Sequence, residues 1–367
     1  MTEESSGTTV PEETKASLSK VRWRKKHVKQ KLLIVLMTGV IGIILLFVYS
    51  LTMGIYTIEF GDAMECLWNI ICNFGPDMDS MPEKIIFLLR MPRSVCVLCV
   101  GAGLAVAGCV MQALIKNPLV DPYITGVSSG AAFAVVLVSM TEISIGVVAS
   151  MAVPVAAIIG AVAAFALTMT VAEIAGGKAM SYVLAGVIIS TGLSAANTLI
   201  IYFNANDYVG IMKWMFGSFA DLTWDNAYVI AAGTLVPILV AFLFSKRLNI
   251  LLLGEDQAQY LGIDVRKTKR IMMVLIAILA AFCVAYCGVI GFIGLIIPHV
   301  CRMIFGGDHR LLIPCSAIVG ALVMLIADIA CKTLAAPSEL PIGAIVAVIG
   351  VPFFLFLMVK EGRRYVM

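Results

Sequence analysis

The stretch GEDQAQYLGIDVRKTKR, residues 254–270, is polar and charged, yet it stands between two apolar runs at residues 228–244 and 271–289. Such a segment enters neither lipid nor a packed core, because ionised groups removed from water without partners are costly. It marks an aqueous boundary, and the runs on either side read as membrane crossings. Each is near the ~20 apolar residues that cross a ~30 Å hydrocarbon core as a helix. Outward from this point, apolar runs recur at residues 32–53, 94–114, 123–140, 143–172, 182–203, 292–305, 311–327 and 342–359. The expectation is an all-α, polytopic membrane protein with about ten transmembrane helices. Residues 292–305 would rise only roughly 21 Å as a helix, so that run is expected to span partway and to lie buried among its neighbours.

Composition agrees: 61% of the 367 residues are hydrophobic and 13% are charged, against about a quarter charged in soluble domains. The net charge of +3 reflects topology, not a nucleic-acid footprint. The polar leader ends in VRWRKKHVKQK and runs into an apolar segment too long for a signal-peptide core and without a small-residue cleavage site, so it reads as a retained first helix. Basic residues mark the cytoplasmic face. The N-terminus is therefore expected inside, and an even number of crossings returns the tail KEGRRYVM inside. The chain divides into a basic cytoplasmic tail (1–31), a transmembrane domain (32–360) and a cytoplasmic C-terminal tail (361–367). Loops 176–179, 245–270 and 306–310 carry Lys or Arg on the expected inside, whereas Glu59, Asp62, Glu65, Asp77, Asp79 and Glu83 crowd the first outside loop.

Of ten cysteines, eight lie in or at apolar spans, and CVLC (Cys96, Cys99) and CVAYC (Cys283, Cys287) have helical spacing, where Cys acts as a small packing residue. Cys66 and Cys72 lie outside, where a disulfide is allowed but not assigned. His299, beside a Pro in IIPHVCR, reads as a structural residue, and no metal site is assigned. No buried carboxylate pair, His cluster or activated nucleophile appears, so no catalytic site and no cofactor are assigned. GGKA at 176–179 lacks the spacing of a phosphate loop, and the chain is not expected to hydrolyse ATP by itself. Helix breaks gather at KNPLVDPYITGVSSG (116–130), GVIGFIGLIIPHV (288–300) and LPIGAIVAVIGVP (340–352). Breaks at membrane depth need protein or a water-filled cavity around them, so these segments are either parts of a translocation path or plain turns.

The loop 245–270 exceeds the ~12–15 residues of an ordinary structureless connection. Gly254 and Gly262 punctuate a two-turn helix, Glu255 and Asp256 suit its positive end, and Ala258 and Leu261 are placed on one face. So short a helix is stable only when packed. It packs either on the protein's own inner surface or in a groove on a cytoplasmic partner, and its small face with flanking charges points to the partner.

LLLGEDQAQYLGIDV (251–265) resembles the coupling segment of type II ABC importer permeases, the iron-siderophore, haem and cobalamin permease family. The segments at 90–132, 288–314 and 327–354 (RMPRSVCVLCVGAGLAVAG…, GVIGFIGLIIPHVCR…, ADIACKTLAAPSELPIG…) are similar to the family's other signatures, in the same order. The resemblance implies a permease that moves iron chelates of the siderophore type, or cobalamin or haem, across the cell membrane. It implies a second permease copy or close homologue, a separate ABC ATPase and an extracellular or periplasmic binding protein. It places Gly254, Glu255, Ala258, Leu261 and Gly262 against the ATPase, Arg90, Arg93 and Lys332 against acidic groups of the binding protein, and Asn117, Leu119, Lys178 and Ser181 near a cytoplasmic gate. Lys332 stands where the family commonly has Arg, which keeps charge but loses the bidentate fork. Snorkelling anchors are the alternative for the three cations, and Asp328 lies four residues before Lys332 on one helix, within reach of it. An ion-coupled transporter, the reading from another class, would need ionisable groups at mid-membrane, and the apolar runs lack them.

Overall fold

Gly101 and Gly320 show how the bundle closes. A Cβ on either would stand 2.4 Å from the carbonyl oxygen of the other, so two helix backbones touch where only hydrogen fits. These glycines belong to the pair on which the rest of the structure is laid. The computed structural model describes residues 12–365 apart from 74, 78, 141–146 and 204–207. Its helices are α1 (Glu12–Thr52), α2 (Phe60–Cys72), α3 (Met81–Lys84), α4 (Met91–Ile115), α5 (Val127–Ser139), α6 (Val147–Ile174), α7 (Ala179–Phe203), α8 (Tyr208–Met215), α9 (Trp224–Leu243), α10 (Ser245–Leu251), α11 (Glu255–Tyr260), α12 (Val265–Cys287), α13 (Ile293–Phe305), α14 (His309–Thr333) and α15 (Ile342–Tyr365). No strand occurs among the described residues. Seven helices are long and apolar enough to cross a membrane, and the shorter apolar helices Val127–Ser139, Ile293–Phe305 and Ile342–Phe356 take up the remaining runs.

Helix α4 is the axis. It is almost wholly buried and packs on α14, α9, α13 and α12. It enters through a π-helical turn, Ile85–Arg90, whose Phe87 carbonyl is satisfied by the Trp224 indole N–H at 2.8 Å. Wide turns of this kind leave carbonyls to be partnered from outside the helix. Helices α4 and α14 run antiparallel, since Arg93 meets Asp328 near one end and Gly101 meets Gly320 further along. The α5–α6 crossing repeats the device: a Cβ on Gly160 would lie 2.2 Å from the Gly130 carbonyl.

The expected run at 123–140 is shorter as a helix. Asp121 accepts from the Tyr123 N–H and starts a 3-10 turn, Pro122–Thr125, and Gly126, at φ +86°, redirects the chain into α5. Half-span α13 is buried as expected, with Ile293, Gly294, Ile297, Pro298, His299 and Cys301 inside. The polar connection 245–270 is more ordered than expected: α10 occupies its start, and Arg266, Lys267, Lys269 and Arg270 lie on the first turns of α12. Helices α2 and α8 fall where no element was anticipated.

Cysteines Cys96, Cys99, Cys109, Cys283, Cys287, Cys301, Cys315 and Cys331 are buried as packing groups. Cys66 and Cys72 are free thiols on α2, one buried and one exposed. Six residues of one helix separate them by about 9 Å of rise, beyond the reach of a disulfide.

Candidate functional site

The expected site residues fall at two ends of the bundle. At the first, α10 and α11 fold over the start of α12. Gly254 initiates α11 at φ +126°, ψ 154°, backbone that a side chain would strain. Gly262, at φ +78°, closes it: its N–H meets the Gln259 carbonyl, and the Ile263 N–H meets that of Ala258 at 3.0 Å. This pair of bonds is a Schellman closure, which favours Gly at that position. Glu255 in the first turn holds the Lys269 ammonium of α12 at 2.6 Å.

The expectation that Ala258 and Leu261 share an outward face is corrected. Ala258 is 0% exposed and packs into the chain's own core, whereas Leu261 is 61% and Tyr260 91% exposed. The two-turn helix is apolar on both sides, and the smaller side chain is the one that fits against the bundle. Leu252, Leu253, Tyr260 and Leu261 form the outward apolar group.

Helix α10 is tied to the start of α14. The Asn249 amide donates to Asp308 Oδ1 at 2.7 Å, and its oxygen accepts from the His309 N–H at 2.9 Å and from ring Nδ1 at 2.8 Å. Asp308 also caps α14 by accepting from the Arg310 N–H and guanidinium. Burial pushes the Asp308 carboxyl up, but the hydrogen bonds from Arg310 and Asn249 outweigh it and hold the group down to about 2. Loss of this cap in Asp308→Ala is expected to cost about 1 kcal/mol. A depressed carboxyl stabilises above its unfolded value near ~3.9 and loses that contribution as pH falls through its folded value. The melting-temperature gap between wild type and variant in detergent should therefore be full at neutral pH and close between about pH 4 and about pH 2.

The four expected gate residues do not converge within one chain. Asn117 and Leu119 form a turn after α4, in which the Leu119 N–H reaches Asn117 Oδ1 at 2.9 Å. Asn117 lines a cavity of about 520 Å³ with Gln112, Lys116, Leu252, Arg302 and His309. Lys178 lies in the α6–α7 turn and Ser181 in the first turn of α7, where its hydroxyl donates to the Ala175 carbonyl at 3.0 Å. That turn borders a second cavity of about 1000 Å³ between α6 and α12. Among the described residues no group of three His, Cys, Asp or Glu side chains has metal-binding geometry.

At the opposite end lie Arg90, Arg93 and Lys332, each engaged inside the chain. The buried Arg90 guanidinium donates to the Leu51 and Tyr56 carbonyls, capping from outside the last turn of α1, whose carbonyls lack helical partners. Arg93 gives Nε and Nη2 to Asp328 Oδ1 at 3.0 and 2.8 Å and Nη1 to Glu339 at 2.7 Å. Lys332 sits 2.6 Å from Asp328 Oδ2 and 3.4 Å from the Ser50 hydroxyl. Asp328 and Lys332 thus form the local pair that their spacing allowed, and neither Arg90 nor Lys332 snorkels to water. Glu83, one of the acids of the outside loop, is likewise buried and accepts from the Asn69 amide and the Asp77 N–H. Glu339 and Ser50 were not anticipated. The signal for their cluster was Asp328 itself, a carboxylate at the edge of an apolar run, which must find partners.

A multi-pass helical bundle with a broken half-span beside its axis and a capped, outward-facing two-turn helix at one end has the fold of the transmembrane permease subunit of type II ABC importers. The chain belongs to the FecCD transport family, which it matches over residues 42–360. It is 36% identical over 324 residues to the hemin transport system permease protein HmuU of Yersinia pestis, covering 88% of this chain and 94% of that one. It is 36% identical over 293 residues to the vitamin B12 import system permease protein BtuC of Salmonella paratyphi A, covering 79% and 88%. A solved inward-facing structure assigned to a metal-chelate type ABC transporter superposes with a TM-score of 0.78 at 32% identity, over 89% of this chain and 99% of that one.

Proposed function

We propose that this chain is the membrane subunit of a binding-protein-dependent importer that carries iron chelates of the siderophore type inward, using ATP hydrolysed on a separate subunit. The observation that carries the reading is α11: a rigidly capped helix that turns Tyr260 and Leu261 away from the bundle and links through Glu255 and Lys269 to α12. An exposed apolar pair on a short, braced helix is a fitting for a partner. In this reading Gly254, Glu255, Leu261 and Gly262 meet the ATPase, Ala258 braces the helix from behind, and both termini lie in the cytoplasm. Asn117, Leu119, Lys178 and Ser181 act near the inner gate of a dimer of permeases. Arg93, whose Nη1 reaches the half-exposed Glu339, is the docking cation best placed to take a partner's carboxylate. Haem or cobalamin is the second reading for the cargo, favoured by the named cargoes of the two relatives.

Purification from native membranes tests this. Co-elution of a Walker-motif ATPase, stimulated by a loaded binding protein, supports the importer, and uptake of a ferric siderophore, haemin and cobalamin measured separately selects the cargo. An isolated chain that transports without any ATPase overturns the reading. Within the complex, Tyr260→Ala with Leu261→Ala is expected to weaken ATPase association roughly thirtyfold, as loss of an anchor worth about 2 kcal/mol does. Association unchanged in a pull-down would remove α11 from the interface. Ala258→Trp, by contrast, overpacks the chain's own core and should lower its melting temperature before it reports on any partner.

A further inference from the structure

We propose that the groove between α6 and α12 is a binding site for one anionic phospholipid of the leaflet on the α11 side. The groove holds about 1000 Å³. Its wall is apolar, with Phe165, Ala166, Met169, Met273, Val274 and Ala277. Its mouth is cationic, with Arg266, Lys269 and Arg270. Along α12 it extends from Val265 to Ile278, about 20 Å of helix, of which the ~12 Å beyond Arg270 falls within the ~15 Å that one leaflet contributes to a ~30 Å hydrocarbon core. A single acyl chain in one leaflet has that reach.

The charges at the mouth select the headgroup. Its two carboxylates are already used: Glu173 accepts from the Tyr182 hydroxyl at 2.7 Å and Glu255 holds Lys269 at 2.6 Å. Arg266 and Arg270 are exposed, and no ion pair engages either among the described residues. Two unpaired guanidinia above an apolar slot fit a phosphodiester with its chain below, because Arg presents paired donors to phosphate oxygens. The site adjoins the Glu255–Lys269 link, so a bound headgroup would brace α11 through α12. Only the assignment of this leaflet to the cytoplasm rests on the orientation proposed above.

The test uses the full-length chain in detergent with equimolar dioleoyl phosphatidylglycerol and dioleoyl phosphatidylcholine, read by native mass spectrometry. The wild type is expected to retain phosphatidylglycerol roughly thirtyfold over phosphatidylcholine, two cations each contributing about fivefold. Arg266→Gln with Arg270→Gln should bring the ratio close to one, and Val274→Trp, at a half-exposed lining position, should reduce retention of both lipids. Melting temperatures near that of the wild type confirm that the variants are folded. Equal retention of the two lipids by the wild type, or an unchanged preference in the double variant, overturns the proposal. So does cross-linking of Val274→Cys to a second copy in membranes, which makes the groove an interface between chains. None of these readouts involves cargo or ATPase, so failure of the importer reading leaves them intact.

Discussion

Asp328→Ala is expected to destabilise the chain by about 3–5 kcal/mol, because it removes the counter-charge of the buried Lys332 and of the mostly buried Arg93 at once. Asp328 is 0% exposed; Oδ1 receives two donors of Arg93 and Oδ2 faces Lys332 at 2.6 Å. Without it, Arg93 keeps only Glu339 at the surface, and Lys332 keeps only the Ser50 hydroxyl. Asp328→Asn should cost nearly as much, since it preserves shape but removes the charge. Lys332→Met should cost much less, because it removes a buried cation and leaves the Arg93–Asp328 bonds in place. Adding Lys332→Met to Asp328→Ala should then recover part of the loss. Melting temperature and the monodisperse fraction in detergent measure all four. If Asp328→Ala melts with the wild type, the cluster is solvated and the ion pairs do not join α4 to α14.

The helical class was legible because composition and run length speak directly to the bilayer, and ten apolar runs became seven long and three short apolar helices. Boundaries were less legible where a break is made by backbone geometry. Gly126 at φ +86° and the Asp121 cap cut the run at 123–140, although hydropathy passes through both without change. The punctuation of α11 was readable from Gly254 and Gly262, since positive φ has few alternatives to Gly. Which side of α11 faces out was not readable: Ala258 and Leu261 are both apolar, and only the packing of α11 against the bundle separates them. The cations Arg90, Arg93 and Lys332 share one end of the bundle, and the Asp328–Lys332 pair was legible from its spacing of four, but Leu51, Asp328 and Ser50, which engage Arg90, Arg93 and Lys332 across the bundle, lie 39, 235 and 282 residues away in sequence. No local pattern carries such pairings. The α6–α12 groove was equally silent, being made of two spans that each look complete.

The second large effect is expected at Gly108. A Cβ there would stand 1.8 Å from the carbonyl oxygen of Gly294, a backbone atom on α13 that cannot turn aside as a side-chain tip could. Gly108→Ala must therefore separate α4 from α13. One turn further along the same interface the Gln112 amide donates to the Leu295 carbonyl at 3.1 Å, and separation lengthens that bond as well. Overpacking alone costs about 1–3 kcal/mol, and the strained hydrogen bond adds up to about 1 kcal/mol. Gly192→Ala is the matched control: it lies within α7, nothing stands near its added methyl, and removing a helical Gly stabilises by up to about 1 kcal/mol. The two glycine substitutions should thus shift melting temperature in opposite directions. The consequence reaches the gate region proposed above, because α13 carries His299 and Arg302 to the cavity that Lys116 and Asn117 share. A displaced α13 changes that cavity, so Gly108→Ala reconstituted with its ATPase and binding protein should lose uptake even at temperatures where it remains folded. Equal melting of the two variants would mean that α4 and α13 are not in backbone contact, and the half-span would need another anchor.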